Sequence, residues 1–359
     1  MNRRSIATVT AVAAVVVLAV GIVRSPMPYV TMQPGPTVDV LGTYRGEPIV
    51  EVDGTRSYPP DGNLRLVTVS ESTPDHSVLL PEALQAWFDK DAALIPRDAV
   101  YPDDATSESE RALSSAQMVT SQDTAVAAAL RRLGYHLRTF PEVIGLSPGG
   151  PSAGKLELRD RLRSIAGKPT PTLRSVFEAL KGVEPGATVT VVVDRGSFAD
   201  PTRKRLRITT VRDPDPANGG RALIGIFPGT GYRFPFKVSV GIDEGIGGPS
   251  AGLMFSLAIY DTLTPGDLTG GEDVAGTGTI SDRGVVGAIG GIQQKIVGAQ
   301  RDGATLFLVP PDNCADALGA PVDDQDIRLV KAPTLKSAIN SLTAYAKDPD
   351  ADLPRCTHD

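Results

Sequence analysis

Two serines of this chain lie in the same hexapeptide, Gly-Gly-Pro-Ser-Ala-Gly, which occurs at residues 149–154 and again at 247–252. A serine hydroxyl becomes a nucleophile when a neighbouring base removes its proton. The second copy leads into an apolar stretch that predicts a helix over residues 249–260, because proline suits the first helical position. Ser250 is then expected at a helix start, where unpaired amides stabilise a developing oxyanion. A plain helix cap is the alternative interpretation.

Lysine is the base that the sequence offers to Ser250. Only His358, in the tail, follows Ser250, so a Ser-His-Asp triad is disfavoured. Lys295 shares one face of a predicted helix with Ile292 and Ala299, which are apolar. Burial there would lower the pKa of the amine and leave it neutral; an ammonium that reaches solvent is the alternative. The polar side of this helix is expected to be formed by Gln293, Gln294, Gln300 and Arg301.

The first copy of the hexapeptide fits two catalytic patterns without completing either. Gly149 to Lys155 follows a phosphate-binding loop, but Leu156 stands where a hydroxyl should bind magnesium. Ser152 and Lys155 follow the motif of penicillin-recognising enzymes, but the Ser-Asp-Asn and Lys-Thr-Gly motifs of that class do not follow. The first copy therefore predicts a structural turn.

Composition excludes several other classes of function. A length of 359 residues predicts two or three domains. The net charge of −6 disfavours nucleic acid as a partner. Two cysteines and three scattered histidines do not form a four-ligand metal site, so we predict neither a metal nor a cofactor. The sequence leaves open whether Cys314 and Cys356 pair, which an oxidising compartment would allow.

The N-terminus predicts a membrane anchor. Arg3 and Arg4 precede an uncharged run over residues 5–23, and a helix of that length reaches about 28 Å. The arginines place the N-terminus in the cytoplasm and the remainder outside it. The alternative is a cleaved signal peptide with a cleavage site at Ala19-Val20-Gly21. We favour a single-pass protein of the cell membrane, with the lipid bilayer as a partner.

The pattern of strands, helices and turns divides the remaining chain into regions. Residues 135–212 read as strand, turn, strand, helix and strands, and the Pro- and Gly-rich stretch after them reads as a linker. The predicted regions are the anchor (1–24), an N-terminal α/β region (25–134), the strand-rich domain (135–212), the linker (213–220), a C-terminal α+β domain (221–346) and a polar tail (347–359).

The domain at 135–212 resembles bacterial PDZ domains. The resemblance rests on residues 147–156, on Asp160 to Ile165 and on Gly167-Lys-Pro. Arg159 departs from it, because many PDZ domains have glycine before this aspartate. The resemblance implies binding of an extended peptide as an added strand, with the carboxylate-binding loop expected near residues 133–137.

Residues 221–345 resemble the proteolytic domain of the Lon family of Ser–Lys peptidases. The motifs that carry the resemblance occur in the family's order: Pro-Ser-Ala-Gly around Ser250, Gly266-Asp-Leu-Thr-Gly270, Gly276-Thr-Gly-Thr-Ile280, Gly290-Gly-Ile292 and Lys295. The resemblance implies that Ser250 is the nucleophile, that Lys295 is the general base and that Thr277 hydrogen-bonds the lysine. It departs at Gly247, where the family usually has aspartate, and Asp243 or Glu244 are the candidate substitutes.

The predicted fold class is therefore α+β, with an N-terminal transmembrane helix, a PDZ-like domain and a Lon-type proteolytic domain. The predicted function is an ATP-independent serine endopeptidase that degrades or processes unfolded extracytoplasmic polypeptides. The alternative is a membrane-tethered PDZ adaptor without catalytic activity. Whether the chain forms a homo-oligomer is left open.

Overall fold

The structure is a computed structural model that describes residues 3–102, 105–215, 218–242, 246–323 and 326–358. The helices of the described residues are α1 (Arg3–Val23), α2 (Leu80–Phe88), α3 (Arg97–Val100), α4 (Ser107–Arg132), α5 (Leu173–Leu180), α6 (Gly252–Leu263), α7 (Ile292–Arg301), α8 (Cys314–Ala317) and α9 (Leu335–Tyr345).

The strands of the same residues are β1 (Tyr29–Asp39), β2 (Thr43–Tyr44), β3 (Glu47–Pro48), β4 (Val50–Asp53), β5 (Asn63–Glu71), β6 (Ala93–Pro96), β7 (Arg138–Leu146), β8 (Arg161–Ile165), β9 (Lys168–Pro169), β10 (Thr188–Arg195), β11 (Thr202–Thr209), β12 (Val211–Arg212), β13 (Ala222–Leu223), β14 (Ile226–Arg233), β15 (Lys237–Val240), β16 (Asp273–Gly276), β17 (Thr279–Ile280), β18 (Val286–Gly287), β19 (Leu306–Val309) and β20 (Arg328–Lys331).

One mixed sheet joins strands from the two ends of the chain. Its order is β20-β19-β16-β5-β1-β6. The pairs from β20 to β5 are parallel, whereas β1 is antiparallel to both of its neighbours. Segments on both sides of residues 135–212 thus share one sheet. The domain boundaries predicted from the sequence stay predictions.

Helices cover both faces of this sheet. Successive side chains of a strand point to opposite faces, and in β19 Leu306 and Leu308 contact the core formed with α4, α6 and α9. Phe307 and Val309 contact the opposite core, formed with α7 and α8. Ser250 precedes α6 and Lys295 lies in α7, so the two candidate residues approach each other from opposite faces of the sheet.

A second sheet forms what we call the inserted unit, residues 138–233. Its strand order is β11-β10-β8-β7-β14, with β9 beside β8. Buried apolar residues of β8, β10 and α5 form its own core, which includes Leu162, Val176 and Val191. The strand β14 pairs with β7 on one side, and among the described residues it has no strand on its other side.

The prediction of a transmembrane helix at residues 1–24, and with it the predicted fold class, is wrong. The segment forms α1, but no helix of the described residues is both long enough and apolar enough to cross a membrane. The described side chains of α1 begin at residue 7. From there to Val23 a helix reaches about 26 Å, against a hydrocarbon thickness of about 30 Å.

The C-terminal tail folds back onto the sheet, although its composition predicts a polar extension. Cys356 forms a disulfide with Cys314 at the start of α8, which settles the pairing that the sequence leaves open. The amide of Lys331 donates to the carbonyl of Pro354 at 2.9 Å. Leu353 is buried in the main core. The disulfide lies in the same core as the apolar face of α7.

Candidate active site

Ser250 lies in a tight turn just before α6, not within the helix. The sequence predicts a helix from Pro249, but α6 begins at Gly252, with Ala251 as its N-cap. The amide of Phe255 donates to the carbonyl of Ala251, at 3.0 Å, at the start of the helix. The carbonyls of the two preceding residues accept hydrogen bonds from other elements. The amide of Leu253 donates to a carbonyl outside the helix, so the helical hydrogen bonds start at Ala251.

Two residues after β16 hold the turn that carries the serine. The carbonyl of Ser250 accepts a hydrogen bond from the Gly278 amide at 2.8 Å and one from the Thr277 hydroxyl at 3.1 Å. The amide of Leu253 donates to the carbonyl of Gly278 at 3.0 Å. Thr277 thus contacts the main chain of the serine, and its predicted bond to the lysine stays a prediction.

Lys295 lies on the buried face of α7. It is 3% exposed, and Ile292 and Ala299 are buried beside it, as their spacing predicts. Gln294, expected on the solvent side, is also buried because α7 packs against β1 and β5. Burial lowers the pKa of the Lys295 amine from 10.5 to about 8. In the described part of the chain no carboxylate forms an ion pair with this amine.

A glycine sets where α7 begins. Gly291 adopts a φ of +67° as the N-cap. A Cβ atom there would lie 2.7 Å from the Met32 sulfur and 2.8 Å from a methyl group of Val69. Both the conformation and the space therefore require glycine. The close approach brings the first turn of α7, and with it Lys295, against β1 and β5.

Ser250 and Lys295 line one cavity of about 240 Å³. It lies at the end of the sheet where β16 stops at Gly276 while β5 continues to Glu71. The remaining lining comes from β5, from the bulge of β1, from α4 and from the serine loop: Leu66, Val67, Thr68, Val69, Ser70, Pro36, Met118, Ile246, Gly247 and Ala251. The structure thus brings together the serine and the lysine that the sequence singles out.

A second, more open cavity of about 370 Å³ lies on another side of Ser250. Its other walls are small or apolar: Pro249 of the serine loop, Thr279 of β17, and Ala288, Ile289 and Gly290 of the loop that precedes α7. Ser250 therefore borders both the cavity that Lys295 lines and a second cavity that is more open to solvent.

The structure gives a steric reason for Gly247. A Cβ atom at this position would overlap the Ser114 hydroxyl of α4 and lie 2.9 Å from the Ser114 Cβ, so a larger residue fits only if Ser114 moves. Ser114 occupies the space that a side chain at position 247 would need. The alternative acids considered from the sequence, Asp243 and Glu244, lie outside the described residues.

Residues of α4 near the serine loop were not predicted from the sequence. A capping box at Ser107 and Glu110 predicts one helix and the Ala-rich run over residues 121–133 predicts another, whereas α4 is one helix over residues 107–132. Ser114, Met118 and Ser121 share one face of it at helical spacing. Ser121 donates from its hydroxyl to the carbonyl of Pro249 at 3.2 Å. This spacing of small polar residues around a methionine was the available signal.

The first copy of the hexapeptide has structural contacts, in agreement with the predicted turn. The Ser152 hydroxyl is completely buried and donates to the carbonyl of Ile224. Leu156 is buried in the core of the inserted unit. The same six residues therefore make different contacts in the two places.

The serine loop and Lys295, which line the cavity, lie in a segment that matches a known protein family. Residues 238–341 match the Lon protease (S16) C-terminal proteolytic domain. A Lon protease of Phenylobacterium zucineum is 38% identical over 95 residues, which are 26% of this chain and 12% of that protein. A Lon protease of Clostridium beijerinckii is 31% identical over 112 residues, 31% of this chain and 13% of that protein. The resemblance of this segment to Lon proteases is confirmed, and the chain spans only 12–13% of the length of these two relatives.

Solved PDZ domains show a weaker likeness. The PDZ domain of an SdrC-like protein from Listeria monocytogenes is 19% identical, with a TM-score of 0.22, and covers 25% of this chain and 86% of that chain. Its counterpart from Listeria innocua is 20% identical, with the same TM-score of 0.22, and covers 25% and 92%. At these TM-scores the two structures support no conclusion about function.

Proposed function

We propose that the chain is a serine endopeptidase in which Ser250 is the nucleophile and Lys295 is the general base. The observation that carries the proposal is that a buried amine, with a pKa lowered to about 8, lines the same cavity as a serine at a helix start. A neutral lysine accepts the proton of a serine hydroxyl, as a histidine does in a triad. The match of residues 238–341 to a Lon proteolytic domain supports this assignment.

The proposed reaction is acyl transfer in two steps. The neutral Lys295 Nζ takes the proton from Ser250 Oγ, which attacks the carbonyl carbon of the peptide bond. The ammonium then protonates the leaving amine as the tetrahedral intermediate collapses to an ester on Ser250. In the second step Lys295 takes a proton from water, the hydroxide attacks the ester, and the proton returns to Ser250 as the acid product leaves.

The amides at the start of α6 are the proposed oxyanion donors. Within the described ranges, the amides of Ala251 and Gly252 donate to no backbone carbonyl. They follow Ser250 directly, and the dipole of α6 favours negative charge at this end. Donors that are fixed before the reaction stabilise the intermediate without reorganisation.

We propose that the substrates are unfolded polypeptides and that no nucleotide is used. A cavity of about 240 Å³ holds a few side chains of an extended chain, not a folded domain. At the one partial phosphate loop, the Leu156 side chain that replaces the magnesium-binding hydroxyl is 1% exposed and is therefore committed to packing.

We propose that the inserted unit recruits the polypeptide at the outer edge of β14. α5 packs against this strand, and its Phe177 is 51% exposed. An extended peptide can add to such an edge through main-chain hydrogen bonds. The bend at residues 224–225, in which Gly225 has a φ of +71°, directly precedes the outer strand. It is a better candidate for the carboxylate-binding loop than residues 133–137, which precede an interior strand.

We propose that the chain acts outside the cytoplasm. The Cys314–Cys356 disulfide supports this, since such bonds persist in oxidising compartments.

Degradation of an unfolded casein-type polypeptide tests the proposed function. We expect the 359-residue chain to degrade it and both Ser250→Ala and Lys295→Ala to be inactive. Ser152→Ala, which changes the serine of the other hexapeptide, and Lys336→Ala, at an exposed lysine, are the matched controls and should retain activity. Equal activity in all five proteins would refute the assignment.

A second candidate function is an adaptor that binds peptide without cleaving it. Gly247, where the resembled family usually has aspartate, is the observation that favours it. A serine-reactive phosphonate distinguishes the two functions: covalent labelling at Ser250 supports the enzyme, and its absence in a folded protein that binds peptide supports the adaptor.

A further inference from the structure

α4 holds the loop that carries Ser250. The carbonyl of Ser114 accepts a hydrogen bond from the Gly248 amide at 3.2 Å. About two turns further along the same face, the Ser121 hydroxyl donates to the carbonyl of Pro249 at 3.2 Å. These bonds reach the two residues immediately before the proposed nucleophile. Any shift of α4 along or about its axis therefore changes the support of the Ser250 main chain.

Close packing makes this contact stiff. A Cβ atom at Gly247 would lie 1.9 Å from the Ser114 hydroxyl oxygen, and one at Gly252 would lie 3.2 Å from the Ser121 hydroxyl oxygen. The loop thus lies close against α4 at Gly247 and at Gly252, on both sides of Ser250. Met118, between the two serines, lines the cavity itself. Packed interfaces of this kind transmit displacement because they cannot be compressed.

The inserted unit contacts the same helix through an arginine. Arg159 forms ion pairs with Asp123 of α4 and with Glu142 of β7, the latter at 2.7 Å. Asp123 lies two residues beyond Ser121 in α4. Burial raises the pKa of both Asp123 and Glu142, an effect that the pairing with Arg159 opposes. Removal of the arginine would leave two buried acids without this cation, so α4 and β7 would no longer be held together at this point.

The backbone of Arg159 supports a specific role for its side chain. The residue has a φ of +68°, a left-handed conformation in which glycine would be unstrained and arginine is not. The Arg159 amide donates to the carbonyl of Val143 at 2.8 Å, which fixes the turn beside β7. Residues held in such a conformation persist where surrounding contacts require them, and here the contacts are the two acids.

We propose that Arg159 is a positioning residue for Ser250, acting from the inserted unit through Asp123, α4 and Ser121. The inference rests on the proposed peptidase function and adds a route by which the inserted unit controls it. A peptide that adds to β14 changes the sheet that contains β7 and Glu142. The ion pairs then carry that change to α4 and to the serine loop.

The test measures kcat and KM for a short unstructured peptide, together with the rate of phosphonate labelling at Ser250. We expect Arg159→Gln to lower kcat and the labelling rate about tenfold, with little change in KM, because misplacement of a reacting group costs at least this much. Arg203→Gln is the matched control, since Arg203 pairs with the buried Asp194 inside the inserted unit. It should behave as the unaltered chain does.

Variants at Ser121 distinguish a positioning role from a general loss of structure. Ser121→Ala should lower kcat by a similar factor, and Ser121→Thr, which keeps the hydroxyl, should restore most of it. If both residues act along one path, the double variant Arg159→Gln/Ser121→Ala is no slower than Ser121→Ala alone. These serine variants also test the inference if Arg159→Gln does not fold.

The outcomes distinguish this inference from the proposed function. Full activity of Ser250→Ala refutes the peptidase and with it the positioning role. If Ser250→Ala is inactive while Arg159→Gln and Ser121→Ala keep an unchanged kcat, only the positioning role is refuted. Multiplicative effects in the double variant would show independent actions and would also overturn the proposed path.

Discussion

Replacement of Lys295 by methionine should stabilise the protein while it abolishes activity. The pKa of the amine falls from 10.5 to about 8 on folding because of burial. In the unfolded chain the proton stays bound up to the higher value, so the free energy of unfolding rises with pH between about 8 and 10.5. Below pH 8 the buried amine is charged, and its burial lowers the free energy of unfolding by about 3 kcal/mol, at 1.36 kcal/mol per pKa unit.

Denaturant unfolding at two pH values measures this effect. Methionine has a similar volume and no charge, so Lys295→Met should raise the free energy of unfolding by about 3 kcal/mol at pH 7 and by about 1 kcal/mol at pH 10. Lys336→Met changes an exposed lysine and should give no such gain. A Lys295→Met protein that is less stable at pH 7, or whose gain is the same at both pH values, would refute the reasoning that the amine is desolvated.

Two further substitutions and the reduction of the disulfide test the packing of the fold. Gly247→Asp should destabilise the fold by about 1–3 kcal/mol because the new side chain meets Ser114; recovery of the melting temperature in Gly247→Asp/Ser114→Gly supports this, and an unaltered melting temperature of the single variant contradicts it. Asp261 is buried, one of its carboxylate oxygens has no hydrogen-bond partner among the described residues, and burial raises its pKa from 3.8 to about 6. As pH rises through that range, the folded protein has to bury a charged carboxylate and the free energy of unfolding falls. Asp261→Asn should therefore raise the melting temperature at pH 8 but not at pH 4. An equal change at both pH values would exclude ionisation as the cause. Reduction of Cys314–Cys356, which closes a separation of 42 residues, should lower the free energy of unfolding by about 4 kcal/mol; an unchanged urea midpoint with reductant would contradict this.

Local periodicity explains what the sequence could predict about the site. The spacing of Ile292, Lys295 and Ala299 predicts a shared buried face, and all three are buried. The motif around Ser250 predicts a helix start, and the helix begins two residues after it. Both patterns depend on neighbours within one or two turns, which a single sequence displays.

Contacts between distant segments explain what the sequence could not predict. The start of α6 depends on acceptors and donors supplied by Ser121 and Gly278, and neither is marked by a local pattern. Residues 63–66 pair with residues 273–276 in the central sheet. The N-terminal region therefore contributes a wall of the cavity, which no sequence motif predicts. The transmembrane prediction was wrong for a different reason. An apolar run predicts a helix, but it does not show that the helix is long and apolar enough to cross a membrane, and no helix of the described residues is.

The pH dependence of phosphonate labelling at Ser250 tests whether Lys295 is the base for this serine. The rate reports the nucleophile and its base without dependence on a chosen substrate. With a pKa of about 8 for Lys295, we expect the labelling rate to rise about tenfold from pH 6 to 7 and to level off above about pH 9. We also expect Lys295→Met to remove this rise. A rate that is flat from pH 6 to 9, or that is unchanged in Lys295→Met, would contradict the account.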